Sequence, residues 1–143
     1  MPGIDLAFFN RLGFFMGVAF QIQDDLLNLV GEEARYGKGI AGNIWEGKRT
    51  VMLINLIERC SGREKRRVVD LLSKPRSEKT ADEVEYVFKL MKKHGCIRHG
   101  QQISQKFVLK ANALFERQLG SLPNSPHKAF LKELINYVVY RDV

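Results

Sequence analysis

Residues 20–29 read FQIQDDLLNL. Two adjacent carboxylates, Asp24 and Asp25, interrupt a stretch that otherwise has the character of a buried helix, and residues 12–20 (LGFFMGVAF) carry no charge at all. On a helix, one face recurs at i, i+3, i+4 and i+7. Followed from Asn10, that face carries Asn10, Gly13, Gly17, Gln21, Asp24 and Asn28, with Asp25 beside it. The other sides are mostly Leu, Phe, Ile, Val or Met, as expected of a central helix of an all-α fold. One narrow stripe differs: it is small at one end and polar at the other.

Two neighbouring carboxylates among apolar residues repel each other and cost several kcal/mol unless they are partnered or protonated. A divalent cation, or a cationic partner with solvent, resolves both problems; the alternative is an exposed, solvated pair, against which the apolar neighbours argue. Mg²⁺ suits the site best. It takes oxygen ligands, keeps several waters and is held by one or two carboxylates plus substrate phosphates. Gly13 and Gly17 would leave a groove on the same face. The stripe thus reads as an elongated apolar cavity with a metal-binding mouth.

Outward from this stretch the chain reads as helices and turns. The first helix is expected from about Asp5 to Val30, stopping at Gly31. A glycine-rich segment follows, and a second helix is expected from near Ile44–Glu46 to about Arg59. A short amphipathic helix spans roughly Arg63 to Leu72. Thr80 with Glu83 forms a capping box for a fourth helix, from Ala81 to about His94, which Gly95 ends. A fifth runs from about Ile97 to Leu119. Ser125 and Pro126 suit the start of a sixth. No strand pattern and no repeat is visible. The expectation is a single all-α domain over residues 1–143, a helical bundle.

Composition narrows the function classes. The net charge is +7 and the pI about 9.6, which fits an anionic partner. That partner could be nucleic acid, an acidic membrane surface or a phosphorylated substrate; the basic clusters at Arg63–Arg67 and Lys89–Lys93 are not interleaved with aromatics, so they read as solvated helix faces and a nucleic-acid partner is not expected. The charge-free run Leu12–Gln23 is too short to span a bilayer. The first residues lack the features of a signal peptide. Cys60 and Cys96 are expected as reduced thiols of a cytoplasmic protein. His94, Cys96 and His99 match no common zinc spacing.

The segment GNIWEGKRT (Gly42 to Thr50) contains G-x-x-x-x-G-K, but Arg49 stands where a phosphate loop needs Ser or Thr, and no strand precedes it. Lys38 and Lys48 remain as point charges that could meet phosphate oxygens held by a metal.

Taken together, F-Q-x-x-D-D-x-x-[DN] on an apolar helix, then G-K at Gly37 and Lys38, then G-[DN]-I-x-E-G-K-R-T resembles the trans-isoprenyl diphosphate synthase (polyprenyl synthetase) family, of the farnesyl and geranylgeranyl type. The HGCI segment at His94 to Ile97 and the final LINYVVYRDV are similar to that family's C-terminal helices. The resemblance implies the C-terminal part of the isoprenoid synthase fold. It also implies a transferase of isoprenoid biosynthesis: a Mg²⁺-dependent prenyltransferase condensing an allylic diphosphate head-to-tail with isopentenyl diphosphate. Within that scheme Asp24 would ligate Mg²⁺ directly, with Asp25 and Asn28 in the shell around it. Lys38 and Lys48 would hold the allylic diphosphate, and Phe20 and Gln21 would line the prenyl pocket. Asn28 and Asn43 stand where many members have Asp, which keeps a carbonyl oxygen but lowers the charge and should weaken Mg²⁺ binding.

The family's first aspartate-rich motif, its two following arginines and its upstream Lys-Thr pair are not found in the 143 residues. The chain is therefore expected to be inactive alone and to expose apolar faces. It would work as a homo-oligomer or with a synthase chain that supplies the first motif. The alternative is a non-catalytic or regulatory partner subunit, or a degenerate half-synthase.

Overall fold

The computed structural model describes residues 5–35 and 41–140. Among them are seven α-helices and no strand: α1 Leu6–Arg35, α2 Gly42–Glu46, α3 Val51–Arg59, α4 Gly62–Ser73, α5 Ala81–Lys93, α6 Cys96–Leu119 and α7 Pro126–Tyr140. A 3₁₀ turn, Arg76–Glu78, joins α4 to α5. The all-α expectation is met.

Local chemistry explains most boundaries. Thr80 and Glu83 form the expected capping box at the start of α5: the Thr80 hydroxyl accepts from the Glu83 N–H, and the Glu83 carboxylate accepts from the Thr80 N–H. The Ser125 hydroxyl accepts from the Lys128 N–H and so caps α7. Two boundaries differ from expectation. The first helix continues past Gly31 to Arg35; the residues after that glycine, GEEAR, include good helix formers, and one glycine costs only about 1 kcal/mol. The helix expected from Ile44–Glu46 to Arg59 is two helices. Gly47 adopts a left-handed conformation (φ 67°) that ends α2. Extended Thr50 then starts α3, its hydroxyl accepting from the Leu53 N–H at 3.3 Å.

The structure groups into two compact units, one of residues 1–23 with 102–143 and one of residues 24–101. In the first, Phe8, Leu12 and Ala19 of α1 share a core with Val108, Ala111 and Phe115 of α6 and with Ile135 and Val138 of α7. Ser104, buried in α6, donates to the Ala19 carbonyl at 3.2 Å, so its hydroxyl is satisfied inside that core. Burying each of the large apolar side chains of this core, such as Leu12, Phe115 or Ile135, contributes about 1.5–3 kcal/mol. Yet this unit also exposes Phe14 (60%), Leu109 (67%) and Phe130 (64%), as expected of a chain with uncovered apolar faces. No atom lies within 4 Å of where a Cβ would stand on Gly13 or Gly17.

The second unit is built on Leu26, Leu29, Ile44, Met52, Leu53, Leu56, Val68, Val87 and Met91, all buried. Gly100 of α6 meets the Met52 thioether and Leu26 so closely that a Cβ there would force Met52 to move. The small residue lets three helices approach. Arg67 of α4 stacks on the Tyr86 ring of α5, 4.0 Å from its centroid.

Candidate functional site

The second unit brings the end of the FQIQDDLLNL helix onto the glycine-rich segment. Asn43 makes the junction and is 3% exposed. Its backbone N–H donates to the Asn28 Oδ1 at 3.0 Å, and its side-chain amide donates to the Asp25 Oδ1 at 3.2 Å. Asn28 thereby does what a cap does, from another helix. Ala41, the residue preceding α2, is left-handed (φ 70°) and offers no side-chain cap, so one of the orphan donors of α2 is satisfied by α1 instead. The Lys48 N–H in turn donates to the Asn43 carbonyl at 2.9 Å. A continuous set of hydrogen bonds thus runs from the aspartate helix through Asn43 to the backbone of Lys48.

The expected site residues lie as follows. Asp24 is exposed; Asp25 and Asn28 are half-buried. Lys48 is exposed, with its ammonium 3.4 Å from the Glu46 carboxylate, which also receives Arg76 at 3.5 Å. Such exposed pairs are worth little and leave Lys48 able to exchange partners. Lys48 and Arg49 rim a cavity of about 380 Å³ whose floor includes Leu53, Ile57 and Leu72. Phe20 and Gln21 lie on α1 in the first unit, both exposed. Lys38 lies outside the described residues.

The donor set suits Mg²⁺. Asp24 and Asp25 offer carboxylate oxygens, the ligand type that hard cations take. Asn28 spends its oxygen on the Asn43 N–H, which fits a residue that holds the site's frame.

One residue that sequence reasoning missed is Lys79, which reads as part of a polar loop. It is 7% exposed. Its ammonium donates to the Trp45 carbonyl at 2.8 Å and to the Leu72 carbonyl at 3.3 Å, joining the last turns of α2 and α4 beneath Gly47. Burial lowers its pKa, while Glu83 opposes the shift. Glu83 is itself held below the ordinary carboxylate range, first by its hydrogen bond with Lys74 at 2.6 Å and then by the Thr80 backbone. No pattern signals this: the carbonyls lie 34 and 7 residues away.

A family model described as polyprenyl synthetase matches residues 5–91, which include the aspartate helix, Asn43 and Lys48. The chain belongs to the polyprenyl synthetase family. It is 30% identical over 137 residues to a geranylgeranyl diphosphate synthase of Sulfolobus acidocaldarius, covering 96% of this chain and 40% of that protein. A heptaprenyl diphosphate synthase component 2 of Bacillus subtilis is 23% identical over 126 residues, covering 88% of this chain and 33% of that protein. Among solved structures, a geranylgeranyl pyrophosphate synthetase from Pyrococcus horikoshii matches with a TM-score of 0.77 and 29% identity, over 95% of this chain and 39% of that one. The helices are those of the isoprenoid synthase fold. The chain spans about two fifths of the length of the relatives it matches most fully.

Proposed function

We propose that this polyprenyl synthetase chain contributes the second aspartate-rich motif and a diphosphate-binding lysine to a prenyltransferase that joins an allylic diphosphate to isopentenyl diphosphate. The observation that carries this reading is the Asn43 junction. It ties the Asp24–Asp25 helix to the turn bearing Lys48, so that carboxylates and a cation belong to one hydrogen-bonded frame.

In this reading Asp24 takes the metal directly, and Asp25 and Asn28, braced through Asn43, hold its surroundings. Mg²⁺, when bound there, would neutralise charge on the departing diphosphate. Lys48 leaves Glu46 for a phosphate oxygen and stabilises the same charge as it develops. Lys38, from the glycine-rich segment, joins it. Phe20 and Gln21 face the prenyl chain and keep water from a carbocation.

In this reading a first aspartate-rich motif from outside these 143 residues completes the site. The family's first aspartate-rich motif is not among its 143 residues, and the exposed Phe14, Leu109 and Phe130 are suited to burial against another polypeptide. The likeness to a protein named component 2 of a heptaprenyl synthase supports a second chain in that role. The second reading, a non-catalytic partner subunit, is favoured by Asn28 and Asn43: the Asn28 side-chain oxygen is committed to the Asn43 backbone N–H, and the Asn43 side-chain amide to Asp25.

The test is an assay of the 143-residue chain alone, and with a synthase chain carrying the first motif, using Mg²⁺, isopentenyl diphosphate and a series of allylic diphosphates. The expected result is no turnover alone and turnover in the complex, abolished by Asp24→Ala. Turnover by the chain alone refutes the half-site reading. Undiminished turnover with Asp24→Ala in the complex refutes the metal assignment and leaves the partner-subunit reading.

A further inference from the structure

Outside the aspartate junction, three helix ends of the second unit converge on one cluster of side chains. Cys60 terminates α3, Glu64 lies in the first turn of α4, and His94 terminates α5. The Cys60 Sγ, a Glu64 carboxylate oxygen and a His94 ring nitrogen all lie within 4.8 Å of one another. The His94 Nε2 is 2.7 Å from Glu64 Oε1. This is the one such grouping of three metal-capable side chains among the described residues, and it shares no residue with the Asp24–Asp25 site. It also regroups the sequence: His94 meets Cys60 and Glu64 rather than joining a set with Cys96 and His99.

We propose that Cys60, Glu64 and His94 form a Zn²⁺ site that pins the ends of α3, α4 and α5 together. The donor set is thiolate, imidazole and carboxylate, the three ligand types that zinc takes, with a water to complete the tetrahedron. Ligand atoms at zinc bonding distances stand roughly 3.3–3.7 Å apart in a tetrahedron. The cluster therefore needs a shift of about an ångström, with the His94–Glu64 pair opening to admit the ion.

The backbone around the donors is fixed. The Cys60 N–H donates to the Leu56 carbonyl, the His94 N–H donates to the Leu90 carbonyl, and Arg59 donates to the His94 carbonyl, each at 2.9 Å. Cys60 is buried, which favours a structural rather than a reactive role for its thiol. Without metal, burial and Glu64 hold that thiol protonated, its pKa pushed up to about 11. On ligation the Sγ–H proton passes to solvent and the sulfur–zinc bond forms, with no change of oxidation state. Lys93 competes for the same carboxylate, 3.3 Å from Glu64 Oε2, but its side chain is largely exposed and free to swing into solvent.

Titration of the reduced chain with Co²⁺ tests this. A bound thiolate gives a near-ultraviolet sulfur-to-cobalt absorption that an oxygen-donor site such as Asp24–Asp25 does not. The expected result is one equivalent of Co²⁺ giving that band and Zn²⁺ abolishing it by displacement. Cys60→Ser should lose the band, and His94→Gln should weaken Co²⁺ binding by at least about tenfold. No band in the unaltered chain overturns the proposal, as does a band that survives in Cys60→Ser. Far-ultraviolet circular dichroism checks folding. Should Cys60→Ser not fold, His94→Gln decides, and an unchanged Co²⁺ affinity there overturns the site.

Discussion

Replacing Gly47 by Ala should be one of the most damaging single-methyl changes in this chain, and two separable costs set its size. The first is conformational: Gly47 sits at φ 67°, and a side chain in that region costs about 1–2 kcal/mol. Reduced freedom of the unfolded chain returns about 0.4–1 kcal/mol of this. The second is steric. The new Cβ would stand on the Leu72 carbonyl oxygen, a backbone atom of α4 that cannot rotate away, and would lie 3.3 Å from the Lys79 ammonium. Moving that carbonyl also disturbs its hydrogen bond with Lys79, so a penalty of about 1–3 kcal/mol is expected. Gly95 provides the control: its φ is 68°, yet no atom lies within 4 Å of its would-be Cβ. Gly95→Ala should therefore show the conformational cost alone. Urea unfolding of both variants measures the difference, expected at about 1–3 kcal/mol, or near 1 M in midpoint for a slope of about 1.5 kcal/mol/M. Coincident midpoints would show that the Leu72 carbonyl does not confine the Gly47 turn.

Lys79→Met strips two helix-end carbonyls of their donor and should cost about 2 kcal/mol, or roughly 6 °C in Tm; a variant as stable as the parent refutes the anchoring role. Because burial lowers the folded pKa of Lys79, the parent gains stability relative to this variant as pH rises through that value towards about 10.4. Glu83 titrates in the opposite sense. Its folded pKa is depressed by Lys74 and the Thr80 backbone, so its contribution is full above about pH 4.3 and is lost as pH falls through the folded value. The Tm gap between the parent and Glu83→Gln should therefore hold above about pH 4.3 and narrow as the solution is acidified below it, and a constant gap contradicts the assignment. Asn43→Asp sets a second carboxylate against Asp25, where an amide now donates at 3.2 Å, and should cost about 1–3 kcal/mol in EDTA. Mg²⁺ should restore much of that loss in the variant, and equal Tm values with and without Mg²⁺ would count against it.

The features legible in the sequence were those whose cause is local. The polar stripe on an apolar helix, the Thr80–Glu83 capping box and the Ser125–Pro126 start each depend on residues within a few positions. The family motif was legible because its residue types are dictated by one chemistry. What stayed hidden was set by partners distant in the chain. Nothing near Gly47 announces that a carbonyl of α4 meets it, so the break between α2 and α3 was read through as one helix. Lys79 is an ordinary loop lysine until two helix ends arrive around it. His94 stands beside Cys96 and His99 in the sequence, whereas folding brings it to Glu64 and Cys60, thirty and more positions earlier. Asn43 reads in the sequence as a missing charge; its side-chain donor, which no carboxylate possesses, has a visible purpose only with Asp25 in place beside it.

That amide also decides how the junction is made. Asn43 closes the gap between α1 and α2 with its own protons, one from the backbone N–H and one from the side-chain amide. A carboxylate at the same position would have no side-chain proton to give Asp25 and would repel it. The frame that carries Asp24 and Lys48 is thus held by hydrogen bonds between the chain's own groups, with no need of a bridging ion at Asn43.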